Sequence, residues 1–225
     1  MTITFFQQVQ GMTREQNILL DGLKMMSQIF WGPSGDRCVE MVEESYLQNL
    51  KTLTSILDEK STKDLRQILS IIRSLKDGDS LCEYLEPAYV RLFVSAKEGI
   101  TAPLYESCYE YENAPLMGKP ATAMKERFEF KGLSAAETIL EPPDHISIEL
   151  EYLYFLLDKG WRDQDKGLTA EASTFASEVM LPWVSKLCQR LASEKECRFY
   201  PLIAAILVEI LTIIATKLLG SNLYS

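Results

Sequence analysis

The stretch LIAAILVEILTIIATKLL, residues 202–219, decides which folds this chain can adopt. It is almost wholly apolar and long enough to cross a membrane as a helix. Glu209 lies near its centre and Lys217 near its end. Because a carboxylate at the bilayer centre is costly, the pattern favours a helix buried in a protein core. A membrane-associated protein anchored by this segment stays open as an alternative.

The rest of the chain supplies helices that could cover such a core. Apolar residues recur at steps of three and four, which is the period of one helix face. The pattern predicts an all-α fold of about ten helices, and residues 1–225 are expected to form one globular domain. No alternating strand pattern, internal repeat or βαβ unit is found. The best examples of the pattern are Val39, Val42, Tyr46, Leu50, Leu53 and Leu57, followed by Leu65, Ile68, Leu69, Ile72 and Leu75.

Several residues mark where the helices should begin and end. Ser61 with Asp64 resembles a capping box, and Pro87 suits the first turn of a helix that carries Tyr89 and Phe93. Gly132 is expected to stop a helix that carries Met124 and Phe128. Two segments read as loops: the proline-containing segment 99–120 and the segment 141–145, where Asp144 is a good N-cap for the next helix. Pro182 and Pro201 indicate a kink and a first helical turn, respectively.

Composition and charge exclude several classes. The 225 residues are 47% hydrophobic, with 11 glycines and 9 prolines, so a disordered or collagen-like chain is excluded. With 32 acidic and 23 basic side chains, the net charge is −9. An acidic chain is a poor nucleic-acid binder and favours basic ligands, such as a peptide with Arg or Lys. Residues 1–10 lack the basic and apolar regions of a secretory signal.

The cysteines and the single histidine argue against a metal centre. The five cysteines are scattered without a CxxC pair, so no zinc site is expected, and five reduced and mostly buried thiols are predicted. Catalytic signatures such as phosphate-binding loops and a nucleophile elbow are absent from the sequence. The alternative of a small-molecule or nucleotide-using enzyme would have to be built around Asp144 and His145. Asp144 is a poor orienter of its neighbour, and Glu149 with Glu151 is interpreted as solvated helix surface.

One constellation resembles a known family. The run Glu141-Pro142-Pro143-Asp144-His145-Ile146-Ser147-Ile148-Glu149-Leu150 resembles the E-P-x-D-H-x-x-x-E-L signature of the TorD/DmsD/NarJ-like redox-enzyme maturation chaperones. Three further segments resemble the family in the same order: Tyr89-Val90-Arg91-Leu92-Phe93, Pro103-Leu104-Tyr105-Glu106-Ser107-Cys108-Tyr109 and Phe130-Lys131-Gly132-Leu133. The tail is also similar, and the resemblance covers roughly residues 17–219 in an otherwise all-helical pattern.

The resemblance implies a function. Members of the family are cytoplasmic chaperones and not enzymes, and no cofactor is expected for this chain. They bind the signal peptide, often a twin-arginine one, or the apo catalytic subunit of a molybdopterin oxidoreductase, and hold back export or assembly until the cofactor is inserted. Neither nucleic acid nor stable membrane insertion is expected, and the chain would be a monomer or homodimer. The residues carried over as client contacts are Tyr89, Phe93, Tyr105, Ser107, Glu141, Asp144 and His145.

These residues also have structural interpretations. Asp144 would serve only as a helix cap, with His145 as a neutral residue of the first turn. Tyr89 and Phe93, four apart on a helix, would be core residues. Tyr89 stands where the family's signal-peptide binders often have Trp, and the segment around Tyr105 often carries Trp as well. The departure indicates a binding groove of somewhat different shape.

Overall fold

A computed structural model describes residues 11–95, 99–111, 114–133 and 140–220. Within these ranges the chain is all-helical, as predicted, and forms ten α-helices. Residues 1–10, for which the sequence predicts no secretory signal, lie outside the described ranges. The helices are α1 Arg14–Phe30, α2 Gly35–Val42, α3 Glu44–Thr52, α4 Glu59–Ser74, α5 Gly78–Tyr89, α6 Lys119–Phe130, α7 Ile146–Arg162, α8 Lys166–Thr174, α9 Leu181–Leu191 and α10 Phe199–Gly220. Short 3₁₀ turns lie at Leu53–Ser55 and Glu106–Tyr109, and π-helical turns at Val90–Val94 and Phe175–Met180.

Helix α10 forms the centre of the core. It packs against α1, α4, α8 and α9. The window Phe199–Thr216 is long and apolar enough to cross a membrane, but 72% of it is buried inside the protein. Glu209, which lies on this helix, is half-buried. The segment thus occupies the position predicted for a core helix. Its fully buried side chains include Ile203, Ile206, Leu207, Ile210, Leu211 and Ile214.

Helices α1 and α7 form the second main contact, which positions the site described below. Small side chains let the two helices approach closely, and each serine bonds to the backbone of the other helix. Ser147 Oγ donates to the Ser27 carbonyl at 3.0 Å, and Ser27 Oγ contacts the Ser147 carbonyl at 3.3 Å. The C-terminal end of α1 therefore lies beside the N-terminal end of α7.

Two predicted helix boundaries are wrong. The N-cap of α4 is Asp58, which accepts from the Ser61 amide at 2.7 Å, so the predicted capping box at Ser61 does not form. Pro87 lies inside α5 and not in its first turn, because α5 begins at Gly78, capped by Asp77. A π-helical turn follows directly and carries the chain to Val94.

The predictions at Gly132, Pro182, Pro201 and segment 99–120 agree with the structure. Helix α6 ends two residues before Gly132, and Pro201 lies in the first turn of α10. Pro182 lies in the first turn of α9, directly after the π-helical turn 175–180, where a kink was predicted. Described parts of segment 99–120 are mostly non-helical, with one short 3₁₀ turn before α6.

The prediction of five reduced cysteines is wrong at one pair. Cys38 on α2 and Cys82 on α5 form a disulfide, with their Cα atoms 5.7 Å apart. Cys108, Cys188 and Cys197 are free thiols. Since 44 residues separate the pair, only the packing of α2 on α5 brings the two sulfurs together.

Candidate functional site

The segment Glu141–His145 is held by backbone pairing to the loop that precedes the 3₁₀ turn. Tyr105 and His145 form an isolated antiparallel bridge. The Ile146 amide donates to the Leu104 carbonyl at 2.8 Å, and the Glu106 amide donates to the Asp144 carbonyl at 3.0 Å. Two of the segments that resemble the chaperone family, far apart in sequence, are thus fixed side by side.

Asp144 is fully buried and is not the N-cap of α7. Its Oδ2 accepts from the Ser107 amide at 2.9 Å, so it fixes the start of the 3₁₀ turn. The cap is the next residue: His145 Nδ1 accepts from the Ser147 amide at 3.2 Å. The prediction of Asp144 as N-cap is therefore wrong by one residue. The expectation that Asp144 does not orient His145 agrees with these separate partners.

His145 is buried among aromatic rings. Its imidazole stacks on the Trp31 indole with ring centroids 4.9 Å apart and an interplanar angle of 19°. The Tyr105 ring meets it edge-on at 5.2 Å. Burial lowers the pKa of His145 to about 4, so the imidazole is neutral at physiological pH. The lowered pKa agrees with the predicted neutral histidine, but the interpretation of His145 as a surface residue of the first turn is wrong, because the side chain is buried.

Two carboxylates border these rings. Tyr105 Oη donates to Glu141 Oε2 at 2.5 Å, and Glu141 itself is exposed. On the other side, Trp31 Nε1 donates to Glu151 Oε1 at 2.9 Å, and Ser27 Oγ reaches the same oxygen at 3.1 Å. We call the set Trp31, Tyr105, Glu141, His145 and Glu151 the aromatic–carboxylate surface.

Tyr89 and Phe93 support this surface from the side of α5. The half-buried Tyr89 donates from Oη to the Phe30 carbonyl at 2.9 Å. Burial and the nearby Glu141 raise the pKa of Tyr89 to about 12. Phe93 is buried, with its ring 5.2 Å from that of Tyr89 and 5.1 Å from that of Tyr200. Phe93 therefore packs in the core beneath Tyr89, and only Tyr89 reaches towards the surface.

A second group of carboxyl groups lies beneath the surface. Glu149 is fully buried, and its Oε2 accepts from Trp183 Nε1 at 3.0 Å. Burial and the neighbouring Glu106 raise the pKa of Glu149 well above its usual range. Burial also raises the pKa of Glu106, with the charge of Asp144 acting in the same direction. Burial and the neighbouring carboxyl group thus both favour the protonated form of Glu149.

The interpretation of Glu149 and Glu151 as solvated helix surface is wrong. Glu149 faces the core, and the half-buried Glu151 accepts hydrogen bonds from α1. Among buried side chains of the described residues, four polar atoms have no hydrogen-bond partner: Tyr46 Oη, Ser107 Oγ, Asp144 Oδ1 and Glu149 Oε1. Ser107 is itself fully buried. No group of three or more His, Cys, Asp or Glu side chains suited to a metal ion occurs in the described ranges.

The structure brings most of the seven candidate residues together but at different depths. Glu141 is exposed, and Tyr89 and Tyr105 are half-buried. The other four are buried and serve as supports: Phe93, Ser107, Asp144 and His145. Trp31 and Glu151 are additional members that the sequence did not single out. A Trp at the end of an amphipathic helix, before Gly32-Pro33, was the available signal, but it does not say which distant residue the indole meets.

Comparison with known proteins agrees with this architecture. The family model "Nitrate reductase delta subunit" matches residues 55–189, which is more than half of the chain. The TorD chaperone of Photobacterium profundum is 26% identical over 155 residues, covering 67% of this chain and 71% of the relative. The TorD chaperone of Vibrio vulnificus is 25% identical over 185 residues, covering 77% of this chain and 85% of the relative.

One solved structure has a similar fold. A protein from Archaeoglobus fulgidus described as a redox enzyme maturation protein superimposes with a TM-score of 0.53. The alignment covers 94% of this chain and 99% of the other, at 20% sequence identity. At that identity the likeness concerns the fold.

The chain is by class a helical chaperone and not a catalytic enzyme. It belongs to the nitrate reductase delta subunit family, in which the TorD chaperones are its relatives. The alternative of an enzyme built around Asp144 and His145 is set aside. In this fold Asp144 anchors a backbone turn and His145 caps α7.

Proposed function

We propose that this protein is a cytoplasmic chaperone for a molybdopterin oxidoreductase. It binds the twin-arginine signal peptide of the apo catalytic subunit at the aromatic–carboxylate surface, and it delays export or assembly until the cofactor is inserted. The observation that carries the proposal is the contact of the Trp31, His145 and Tyr105 rings between the carboxylates of Glu141 and Glu151. Family membership supports the chaperone class.

The chemistry of a twin-arginine signal peptide matches such a surface. Its guanidinium groups can stack on the half-exposed rings of Trp31 and Tyr105 and can pair with a carboxylate through two parallel hydrogen bonds. Glu141 is an exposed carboxylate that accepts a hydrogen bond from Tyr105. The apolar part of the peptide can cover the aromatic faces. A net charge of −9 adds long-range attraction for a cationic peptide, and this attraction weakens with added salt.

The buried residues of the signature act on the client through positioning. Asp144 holds the 3₁₀ turn that follows Tyr105, and His145 supports the faces of Trp31 and Tyr105 from within. Replacing Asp144 with Ala would leave the Ser107 amide without its partner inside the protein, which costs roughly 1–3 kcal/mol of stability. Substitutions at Asp144 and His145 would therefore change both the stability of the fold and the binding of the peptide. Substitutions at exposed residues test peptide binding alone.

The test uses the purified chain and a fluorescent synthetic peptide with two adjacent arginines before an apolar stretch. Glu141→Gln removes one charge from the exposed rim, and we expect it to weaken peptide binding several-fold. Tyr105→Phe keeps the ring and removes the hydroxyl that orients Glu141, so a smaller loss is expected. The matched control is Glu178→Gln, an exposed carboxylate between α8 and α9. Anisotropy titrations at low and high salt measure all four proteins.

A second peptide, with both arginines replaced by glutamine, separates charge recognition from apolar binding. Equal affinity for the two peptides, or equal affinity of Glu141→Gln and the parent chain, would overturn the signal-peptide site. The client itself is tested by affinity purification of the tagged chain from its native host grown anaerobically. Recovery of a molybdopterin oxidoreductase subunit that lacks cofactor is the expected result, and recovery of no oxidoreductase would count against the proposed client.

A further inference from the structure

The loop at the end of α1 is held from two sides by α2 and α5. From α2, Arg37 Nη1 donates to the Gly32 carbonyl at 2.5 Å and approaches the Trp31 carbonyl at 3.4 Å. From α5, Tyr89 donates to the Phe30 carbonyl at 2.9 Å. The carbonyls of three consecutive residues, 30–32, are thus fixed by side chains of two other helices.

Gly32 allows this close approach. It has a φ of +86°, and a Cβ added there would lie 2.8 Å from the Tyr89 ring. The loop therefore lies flat on Tyr89, and its neighbour Trp31 is directed onto His145. A shift of α2 relative to α5 would move these anchors apart and would disturb the indole.

The Cys38–Cys82 pair joins the same two helices. Cys38 follows Arg37 directly and is fully buried, whereas Cys82 is half-buried. One turn away, the backbone of Val39 lies against Gly78, where an added Cβ would be 2.7 Å from Val39 Cα. Helix α2 is eight residues long and buries only Cys38 and Met41. A helix this short has little stability of its own, so its position depends on such anchors.

We propose that Cys38 and Cys82 form a reversible redox clamp between α2 and α5. The clamp sets the rigidity of residues 31–34, here called the Trp31 loop, and thereby the affinity for the client. Disulfides in a reducing compartment are usually transient or redox-sensing. The oxidised form fixes α2 on α5 and pre-organises the loop, which strengthens binding. The cross-link itself stands on the geometry, while its reversibility in the cytoplasm and its effect on client affinity rest on the proposed function.

The chemistry is thiol–disulfide exchange with a low-molecular-weight disulfide such as oxidised glutathione. The thiolate of the accessible Cys82 attacks the glutathione disulfide, forms a mixed disulfide and releases one glutathione thiolate. Cys38 then attacks the Cys82 sulfur, closes the protein disulfide and releases the second glutathione. Two electrons pass from the cysteine pair to the glutathione disulfide, and the two thiol protons go to the released thiolates.

The experiment equilibrates the full chain over a series of reduced-to-oxidised glutathione ratios. Maleimide labelling with mass spectrometry counts the free thiols at each position, and amide hydrogen exchange follows residues 30–42. Peptide affinity is measured for the fully oxidised and fully reduced forms. We expect slower amide exchange in this segment in the oxidised form than in the reduced form. We also expect the oxidised form to bind the peptide about threefold more tightly, or better. Cys82→Ser should match the reduced form under all conditions, and Cys188→Ser, on α9, should behave as the parent does.

The outcomes separate the two proposals. If Cys38 and Cys82 stay thiols at every glutathione ratio, the redox clamp is wrong. If they oxidise but exchange in residues 30–42 is unchanged, the coupling to the Trp31 loop is wrong. If exchange changes and neither form binds the peptide, the clamp is supported and the proposed signal-peptide function fails. Cys82→Ser is the main variant because its side chain is half-buried, so the substitution disturbs the core less than one at Cys38.

Discussion

The indole of Trp31 and the imidazole of His145 lie face to face, with ring centroids 4.9 Å apart, although 114 residues separate them in the chain. The indole N–H donates to Glu151, which lies in the second turn of the helix that His145 caps. Trp31→Phe keeps a ring on His145 but removes this hydrogen bond to a carboxylate. We expect it to lower the free energy of unfolding by roughly 1–3 kcal/mol and to weaken peptide binding. Urea denaturation and anisotropy titration measure the two effects.

Trp161→Phe is the matched control for this variant. Trp161 is also half-buried but lies near the opposite end of α7 from His145. Its replacement should leave peptide affinity unchanged. If the two variants reduced peptide affinity equally, the role of the Trp31–His145 stack in binding would be excluded.

The buried His145 should make stability depend on pH in the acidic range. Its folded pKa of about 4 lies below the unfolded value of about 6.5. The stability that the neutral His145 contributes is present above pH 6.5 and is lost as the pH falls towards 4. In this range the histidine is protonated in the unfolded chain but stays neutral in the folded chain. The loss amounts to roughly 3 kcal/mol.

His145→Asn isolates this effect. Asparagine keeps an acceptor for the Ser147 amide at the N-cap, and it does not titrate. The parent chain should therefore lose more stability than the variant between pH 7.5 and pH 4.5 in urea denaturation. Parallel losses in the two proteins would show that His145 is not buried in its neutral form.

Glu149 should have the opposite pH dependence. Its folded pKa is raised, so its contribution to stability is present below the unfolded value near 4.5 and is lost as the pH rises through the folded pKa. Glu149→Gln keeps an oxygen for the Trp183 indole and cannot ionise. We expect the variant to be as stable as the parent or more stable at pH 8, with a smaller advantage at pH 5. Glu149→Leu, which leaves the indole N–H unpaired, should cost roughly 1–3 kcal/mol.

Calorimetry at both pH values compares the two variants with the parent chain. A Gln variant that is clearly less stable than the parent at pH 8 would indicate that the ionised carboxylate is itself stabilising. The prediction of a largely protonated Glu149 would then be wrong.

Much of the helical fold could be predicted because apolar periodicity is local. The repeat that begins at Leu65 marks the buried face of α4, and α10 follows directly from its apolar run. The repeat that begins at Val39 was interpreted as one helix face, but it is divided among α2, α3 and a 3₁₀ turn, and Val39 is exposed. The helix boundaries were less predictable than the helices themselves. Asp58, and not Ser61, caps α4, and Pro87 lies inside α5, which begins nine residues earlier at Gly78.

The site was predictable in part. The resemblance at residues 141–150 and 89–109 pointed to segments that the fold does bring together. The burial of each site residue was not predictable from the resemblance, because the burial of Asp144 and Glu149 depends on which other helices cover them. Trp31 and the Cys38–Cys82 pair were missed for the same reason: each depends on a contact between helices that are distant in sequence.

Reduction of the Cys38–Cys82 disulfide should destabilise the folded chain, whatever its effect on binding. Closing a loop of 44 residues lowers the entropy of the unfolded chain, which corresponds to about 4 kcal/mol in the loop-closure model. Urea denaturation with and without a phosphine reductant measures the difference between the two forms. Cys82→Ser should be insensitive to the reductant, whereas Cys188→Ser should respond as the parent does. Coincident unfolding curves for the oxidised and reduced parent would mean that the cross-link adds no stability beyond the packing of α2 on α5.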